Sequence, residues 1–88
     1  MKVEFRASFA KDLRQIKDKD LLRRVKGVIE NIEQAGQLQA IAHLKKLKGG
    51  ESYYRIRVGE YRVGLTVTND VVTFVRCLSR KEIYRYFP

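Results

Sequence analysis

Three arginines, Arg55, Arg57 and Arg62, flank a Gly59-Glu60 pair within the stretch YYRIRVGEYRVGLTVT, Tyr53 to Thr68. Apolar and polar residues alternate on both sides of that pair, which reads as two β-strands joined by a two-residue turn. With Gly59-Glu60 as the turn, Val58 faces Tyr61, Arg57 faces Arg62, Ile56 faces Val63 and Arg55 faces Gly64. Side chains alternate faces along a strand, so the three arginines share one face with Thr66. Tyr54, Ile56, Val58, Tyr61, Val63, Leu65 and Val67 line the other. Like charges directly opposite one another repel unless an anion or an acidic partner lies between them. Gly64, opposite Arg55, leaves room for something to lie on the sheet. Guanidinium groups clamp phosphate bidentately and stabilise the extra charge of a phosphorane-like transition state. Chemistry at a phosphate is the expectation.

Other basic and aromatic residues extend this surface. Lys45, Lys46 and Lys48 precede the hairpin, and the chain closes on Arg80-Lys81-Glu82-Ile83-Tyr84-Arg85-Tyr86-Phe87-Pro88. Exposed tyrosines stack on unpaired bases or donate a proton. The sequence has no GxGxxG and no Walker loop, and its single histidine, His43, is read as an ordinary exposed or capping residue. Carboxylates are few and scattered, so metal-dependent cleavage by an acid cluster is not expected, and no cofactor is implied. One Cys and one His do not make an ordinary zinc site. Cys77 has no partner for a disulfide within the chain, which agrees with a reducing compartment.

The 88 residues correspond to one domain, 1–88, and carry a net charge of +9. Residues 45–88 hold ten Lys/Arg against four Asp/Glu, whereas residues 1–44 hold nine against six. The excess therefore lies with the expected strands and the tail, and a basic domain of this size points to nucleic acid or an acidic protein partner. No apolar run approaches the roughly 20 residues of a membrane span. The start, MKVEFRASF, lacks a signal-peptide core, so a cytoplasmic location and no membrane partner are expected.

Elements must position these groups. KVEFR (Lys2 to Arg6) alternates as a short first strand, and Ser8 is a plausible N-cap for a helix carrying Phe9, Leu13 and Ile16. Asp18 or Asp20 can cap a second helix whose apolar stripe is Leu21, Val25, Val28, Ile32 and Ala35, with Gly36 at a left-handed C-cap. Ile41, Leu44 and Leu47 are spaced by three, consistent with a short helical turn before Gly49-Gly50. Asn69-Asp70 is a second turn, and VVTFVRCLS (Val71 to Ser79) a last strand. A two-residue turn there puts Val72, Phe74 and Leu78 on the core face and Thr73, Val75 and Cys77 on the arginine face. That parity would bury Arg76, and a bulged turn would reverse the faces, so the side of Arg76 stays open. The order is β-α-α-β-β-β. The expected fold is α+β, a helical hairpin packed on one face of an antiparallel four-stranded sheet, its other face left open.

That order, with LKKLKGG, YRIRVGEYRV and RKEIYRYF, resembles the RelE/ParE superfamily of toxins from bacterial toxin–antitoxin pairs, over essentially the whole chain. For the RelE branch, the resemblance implies a metal-free endoribonuclease that cuts messenger RNA in the ribosomal A site. The 2′-hydroxyl attacks the neighbouring phosphate, leaving a cyclic phosphate and a 5′-hydroxyl. It implies that Arg62 contacts the scissile phosphate and that Arg55 and Arg57 occupy the places of two lysines. It also gives Arg80 the place of a basic residue after the last strand and Tyr84 that of the tyrosine that orients the nucleophile and stacks on a base. Lys45, Lys46, Lys48, Lys81 and Arg85 are expected to contact RNA or the ribosome. A cognate antitoxin covering the basic face is implied as partner.

Two departures mark this sequence. Arginines stay protonated, so Arg55 and Arg57 stabilise charge rather than act as general bases. Ser79 stands where many relatives carry a histidine, which removes an acid or base that titrates near neutral pH. Two alternatives follow: a ParE-like protein that poisons DNA gyrase by binding, and an impaired toxin that only binds its antitoxin.

Overall fold

The structure is a computed structural model that describes residues 1–47 and 52–87. Its elements are β1 (Lys2–Phe5), α1 (Ala7–Gln15), α2 (Lys19–Gln34), a 3-10 turn (Leu38–Ala40), β2 (Leu44–Lys46), β3 (Tyr53–Val58), β4 (Tyr61–Thr68), β5 (Val71–Ser79) and α3 (Ile83–Tyr86). The α+β class is as expected, with both longer helices on one face of the sheet. The sheet itself differs. It has five strands in the order β1-β5-β4-β3-β2, and β1 runs parallel to β5, so it is mixed rather than antiparallel throughout.

The added strand is β2. Its residues pair antiparallel with β3, Leu44 with Ile56, Lys45 with Arg55 and Lys46 with Tyr54. The spacing of Ile41, Leu44 and Leu47 had read as helical, but the helical turn ends at Ala40 and the chain instead pairs with the open edge of β3. An unpaired edge leaves a row of backbone donors and acceptors unmatched, and even a three-residue strand satisfies part of it.

The hairpin adopts the expected register, including Arg57 opposite Arg62 and Arg55 opposite Gly64. Gly59 has φ 59, a left-handed conformation suited to a glycine in a tight turn. Asn69 and Asp70 also lie at positive φ, 52 and 64, and join β4 to β5. Between Gly64 and Leu65 the register slips: Gly64 pairs with Arg76 but Leu65 with Phe74, so Val75 is an extra residue. This bulge sits within the strand. Beyond it the faces exchange, so Cys77, opposite Val63, is buried in the core, and Leu78, opposite Arg62, lies on the arginine face. Both placements reverse the expectation, and Arg76 is spared the core.

Arg76 is instead anchored to α1. Its Nε and Nη2 donate to the Asp12 carboxylate at 2.8 and 3.0 Å, and the Cys77 backbone N–H donates to the same carboxylate at 2.9 Å. Those bonds to Asp12 raise the Arg76 pKa. Ser8 does not cap α1; Arg6 holds that position without a side-chain bond, and the Ser8 hydroxyl donates to the Val75 carbonyl at 2.6 Å. So α1 serves the edge of β5 beyond the end of β1. Asp18 does cap α2, accepting from the Asp20 and Leu21 N–H groups at 3.0 and 3.2 Å. The C-terminal end of α2 passes through extended Ala35, not a left-handed Gly36, and the Met1 amino group donates to the Ile32, Glu33 and Ala35 carbonyls.

The main core joins Phe9, Leu21, Val25 and Ile32 of the helices to Ile56, Val63, Leu65, Val72 and Phe74 of the sheet. Phe5, Phe9 and Phe74 cluster with ring centroids 5.3 to 6.0 Å apart. The second face is not left open throughout. The tail folds back over it, burying Ile83 and Phe87 to 1% and 4% exposure. A Cβ on Gly64 would stand 2.7 Å from the Phe87 ring, so the room left by that glycine holds the chain's own aromatic.

Candidate functional site

Strand alternation delivers Arg55, Arg57 and Arg62 to the face covered in part by α3, and the chain reversal after β5 brings Arg80 and Tyr84 to the same side. Arg62 is half-buried, its Nη1 donating to the Gly59 and Tyr61 carbonyls at 2.9 and 3.0 Å. Its Nε is buried with no partner in the protein. Burial lowers the Arg62 pKa, with Arg55, Arg57 and Arg80 adding positive charge nearby and Glu60 opposing them. Arg80 is tied to the turn, donating its backbone N–H to the Glu60 carbonyl at 2.8 Å while its Nε meets the Glu60 carboxylate at 3.2 Å. The Ser79 hydroxyl donates to Glu82 at 3.3 Å.

Arg55 lies deeper on β3. Its guanidinium carbon stands 5.1 Å from the centroid of the Tyr84 ring, a cation–π arrangement, and its Nη1 is buried without a partner. Tyr84 itself is 64% exposed, so the ring rests on Arg55 and presents its outer face to solvent. A buried N–H without an acceptor is costly, and a charged one more so. Arg55 and Arg62 therefore each hold a positive charge with one N–H left unpaired beneath the surface.

A cleft of about 550 Å³ opens at the hairpin tip between α2 and the sheet. It gathers Arg57, Arg62 and Arg80 with Glu60, and adds Arg24 and Asn31 of α2 and His43. Arg55 and Tyr84 are outside its lining and form a second group on the same face. The lysines separate. Lys45, paired with Arg55, belongs to the arginine face, whereas Lys46, paired with Tyr54, belongs to the opposite face and lines a shallow apolar hollow with Leu38, Ile41 and Leu44. Lys81 and Arg85 are exposed around the tail, and Lys48 lies outside the described residues. Among the described residues, no three His, Cys, Asp or Glu side chains come together as a metal site.

The family model for ParE toxins of type II toxin–antitoxin systems, parDE, matches residues 3–84. The chain belongs to the RelE/ParE toxins. It is 44% identical to Toxin RelE3 of Methanocaldococcus jannaschii over 89 residues, all of both chains, and 31% identical to Putative toxin RelE1 of the same organism, over 91% of this chain and 89% of that one. The toxin fold superposes on a RelB-RelE antitoxin-toxin complex from Methanococcus jannaschii with TM-score 0.82 and 41% identity, covering 97% and 99% of the two chains. An archaeal RelE-RelB complex from Pyrococcus horikoshii shares the fold, with TM-score 0.73 at 24% identity over 90% and 93%. This is a RelE-like toxin of a toxin–antitoxin system.

Arg24, Asn31 and His43 in this RelE-like toxin's cleft were not singled out from sequence as site residues. Arg24 and Asn31 follow the helical spacing of Gly27 and Val28 beside the apolar stripe of α2, a signal that marks a shared helix face but not what that face meets. The Arg24 guanidinium comes within 3.0 Å of where a Cβ on Gly59 would stand, which ties α2 to the hairpin turn. His43 reaches the cleft because β2 pairs with β3. With β2 read as a helical turn, its position had no strand register to fix it.

Proposed function

We propose that this toxin is a ribosome-dependent endoribonuclease that cuts messenger RNA in the A site. The observation that carries the reading is the convergence of Arg57, Arg62 and Arg80 on one cleft, with Arg55 and Tyr84 stacked beside it. A messenger phosphate lies against these guanidiniums, and the 2′-oxygen attacks its phosphorus as the bond to the 5′-oxygen breaks. The products are a cyclic phosphate and a 5′-hydroxyl. Negative charge on the phosphoryl oxygens grows toward the transition state, so donors already held in place stabilise it more than the ground state. Arg62 is the best placed of these, half-buried at the cleft and held in position through Nη1. Arg55 and Arg57 supply charge, not a base. The exposed face of Tyr84 offers a stacking surface for a base next to the cut. Lys45, Lys81 and Arg85 add contacts to the RNA backbone, which weaken as salt rises.

The antitoxin-bound relatives support a cognate antitoxin partner for this chain as well, and an acidic segment laid over the arginines matches the surface charge. The ParE assignment of the family model favours a second reading, inhibition of DNA gyrase by binding. Primer extension on translating ribosomes separates the two. The endoribonuclease reading expects new 5′ ends within codons in the A site; stabilised gyrase cleavage complexes without new messenger ends would select the second.

A further inference from the structure

We propose that His43 is the proton-transfer group of the cleft, its neutral imidazole taking the proton of the RNA 2′-hydroxyl as that oxygen attacks phosphorus. The inference rests on the endoribonuclease reading and fills the role that Arg55 and Arg57 cannot. Position is the first support. His43 immediately precedes Leu44, which pairs with Ile56 at the start of β2, and Arg57, next to Ile56 on β3, stands opposite Arg62. His43, Arg57 and Arg62 all line the cleft.

Backbone conformation is the second. Among the described residues, three that are not glycine have positive φ: Asn69 and Asp70 in the second hairpin turn, and His43 at φ 61. Asn and Asp commonly take such turn positions. Histidine also takes this conformation more readily than most residues, and at His43 it fixes the turn of the chain into β2 beside the cleft.

The chemistry of the neighbours is the third. Sharing the cleft with His43 are Arg24 and Asn31 of α2, Arg57 of β3, Glu60 of the turn, Arg62 of β4 and Arg80 after β5. The arginines keep their protons and Asn31 does not titrate. Glu60 is already engaged, its carboxylate meeting the Arg80 Nε at 3.2 Å. His43 is left as the side chain of this set whose ring nitrogen can both take up and release a proton. In the step, the bond from the 2′-oxygen to phosphorus forms and the bond to the 5′-oxygen breaks. The 2′ proton passes to His43 and then to water, and the departing 5′-oxygen takes a proton from water.

The test uses the full chain on messenger-programmed ribosomes, in single-turnover cleavage from about pH 5.5 to 8.5. His43→Asn is the variant, because asparagine tolerates the left-handed conformation and does not titrate. Wild-type rate is expected to rise with pH and level off. His43→Asn should be slower by on the order of 10²-fold at the plateau and lack that rise, with melting temperature and ribosome binding unchanged. If His43→Asn melts early, His43→Gly, free of the φ cost, is compared instead. A variant cutting within a few-fold of wild type, or keeping the same pH rise, overturns the assignment. So does full rescue by a substrate with a 5′-sulfur leaving group, which would make His43 an acid. A wild-type protein that cuts no messenger overturns the endoribonuclease reading itself, and this inference with it; cutting by both proteins overturns this inference alone.

Discussion

Replacing Gly64 by alanine should loosen the tail through one identifiable clash. The new Cβ would lie 2.7, 2.8 and 2.9 Å from three carbons of the Phe87 ring, closer than carbon atoms pack, and Phe87 is only 4% exposed. The ring cannot turn out of the way without losing its edge-on contact with Tyr53, whose centroid lies 5.6 Å away. Either strain is retained or the ring leaves its site, and both routes cost about 1–3 kcal/mol. For a domain of this size each kcal/mol lowers the melting temperature by roughly 4–8 °C, so a fall of about 10 °C is expected. The decisive assay is a double-mutant cycle by urea or thermal unfolding. Phe87→Ala alone should destabilise, but in that background Gly64→Ala should cost almost nothing, because its partner in the clash is gone. If the two costs simply add, Gly64 is not reserved for Phe87, and the packing of the tail on the arginine face is wrong. Since α3 also carries Tyr84 over Arg55, Gly64→Ala should lower messenger cleavage even where the protein remains folded.

Two further perturbations test the frame around the site. Asp12→Ala leaves the half-buried Arg76 without its bidentate partner and the Cys77 N–H without its acceptor, and should cost about 3 kcal/mol in chemical denaturation. Burial pushes the Cys77 thiol pKa up to about 12 from the ordinary value of 9.0. A raised thiol pKa means that the unfolded chain ionises first, so this contribution is full below about pH 9 and is lost as pH climbs toward 12. Cys77→Val should flatten that part of the alkaline decline, and in the native wild type the thiol should react with alkylating reagents only at the rate of opening.

The hairpin was legible in the sequence because two local signals agreed. Strict alternation set the faces and Gly59-Glu60 set the register, and every expected pair from Arg55–Gly64 to Val58–Tyr61 is found. The cap of α2 was legible to within Asp18 or Asp20, because a cap bonds to its own helix, and Asp18 holds the position. What was hidden depends on residues distant in sequence. The bulge at Val75 follows from where Arg76 finds Asp12, 64 residues away. The Ser8 hydroxyl is drawn from its helix to a strand carbonyl 67 residues on. Three residues of β2 are too few to show a period, so neither the strand nor the division between Lys45 and Lys46 could be read locally. Gly64 did announce a close approach, but the neighbour proved to be Phe87 rather than a ligand. His43 could be recognised as part of the cleft only after β2 was seen to pair with β3.

The most direct measurement of the central claim compares wild type with Arg62→Ala on the same translating ribosomes, mapping messenger 5′ ends by primer extension. Arg62→Ala should melt within a few degrees of wild type, since the Nη1 bonds it removes end on exposed or half-buried turn carbonyls. The account predicts new ends at A-site codons with wild type and a loss on the order of 10²–10³-fold with Arg62→Ala, the scale of removing one fixed donor from a developing anion. Equal cleavage by the two proteins, or no new ends with wild type, would contradict it.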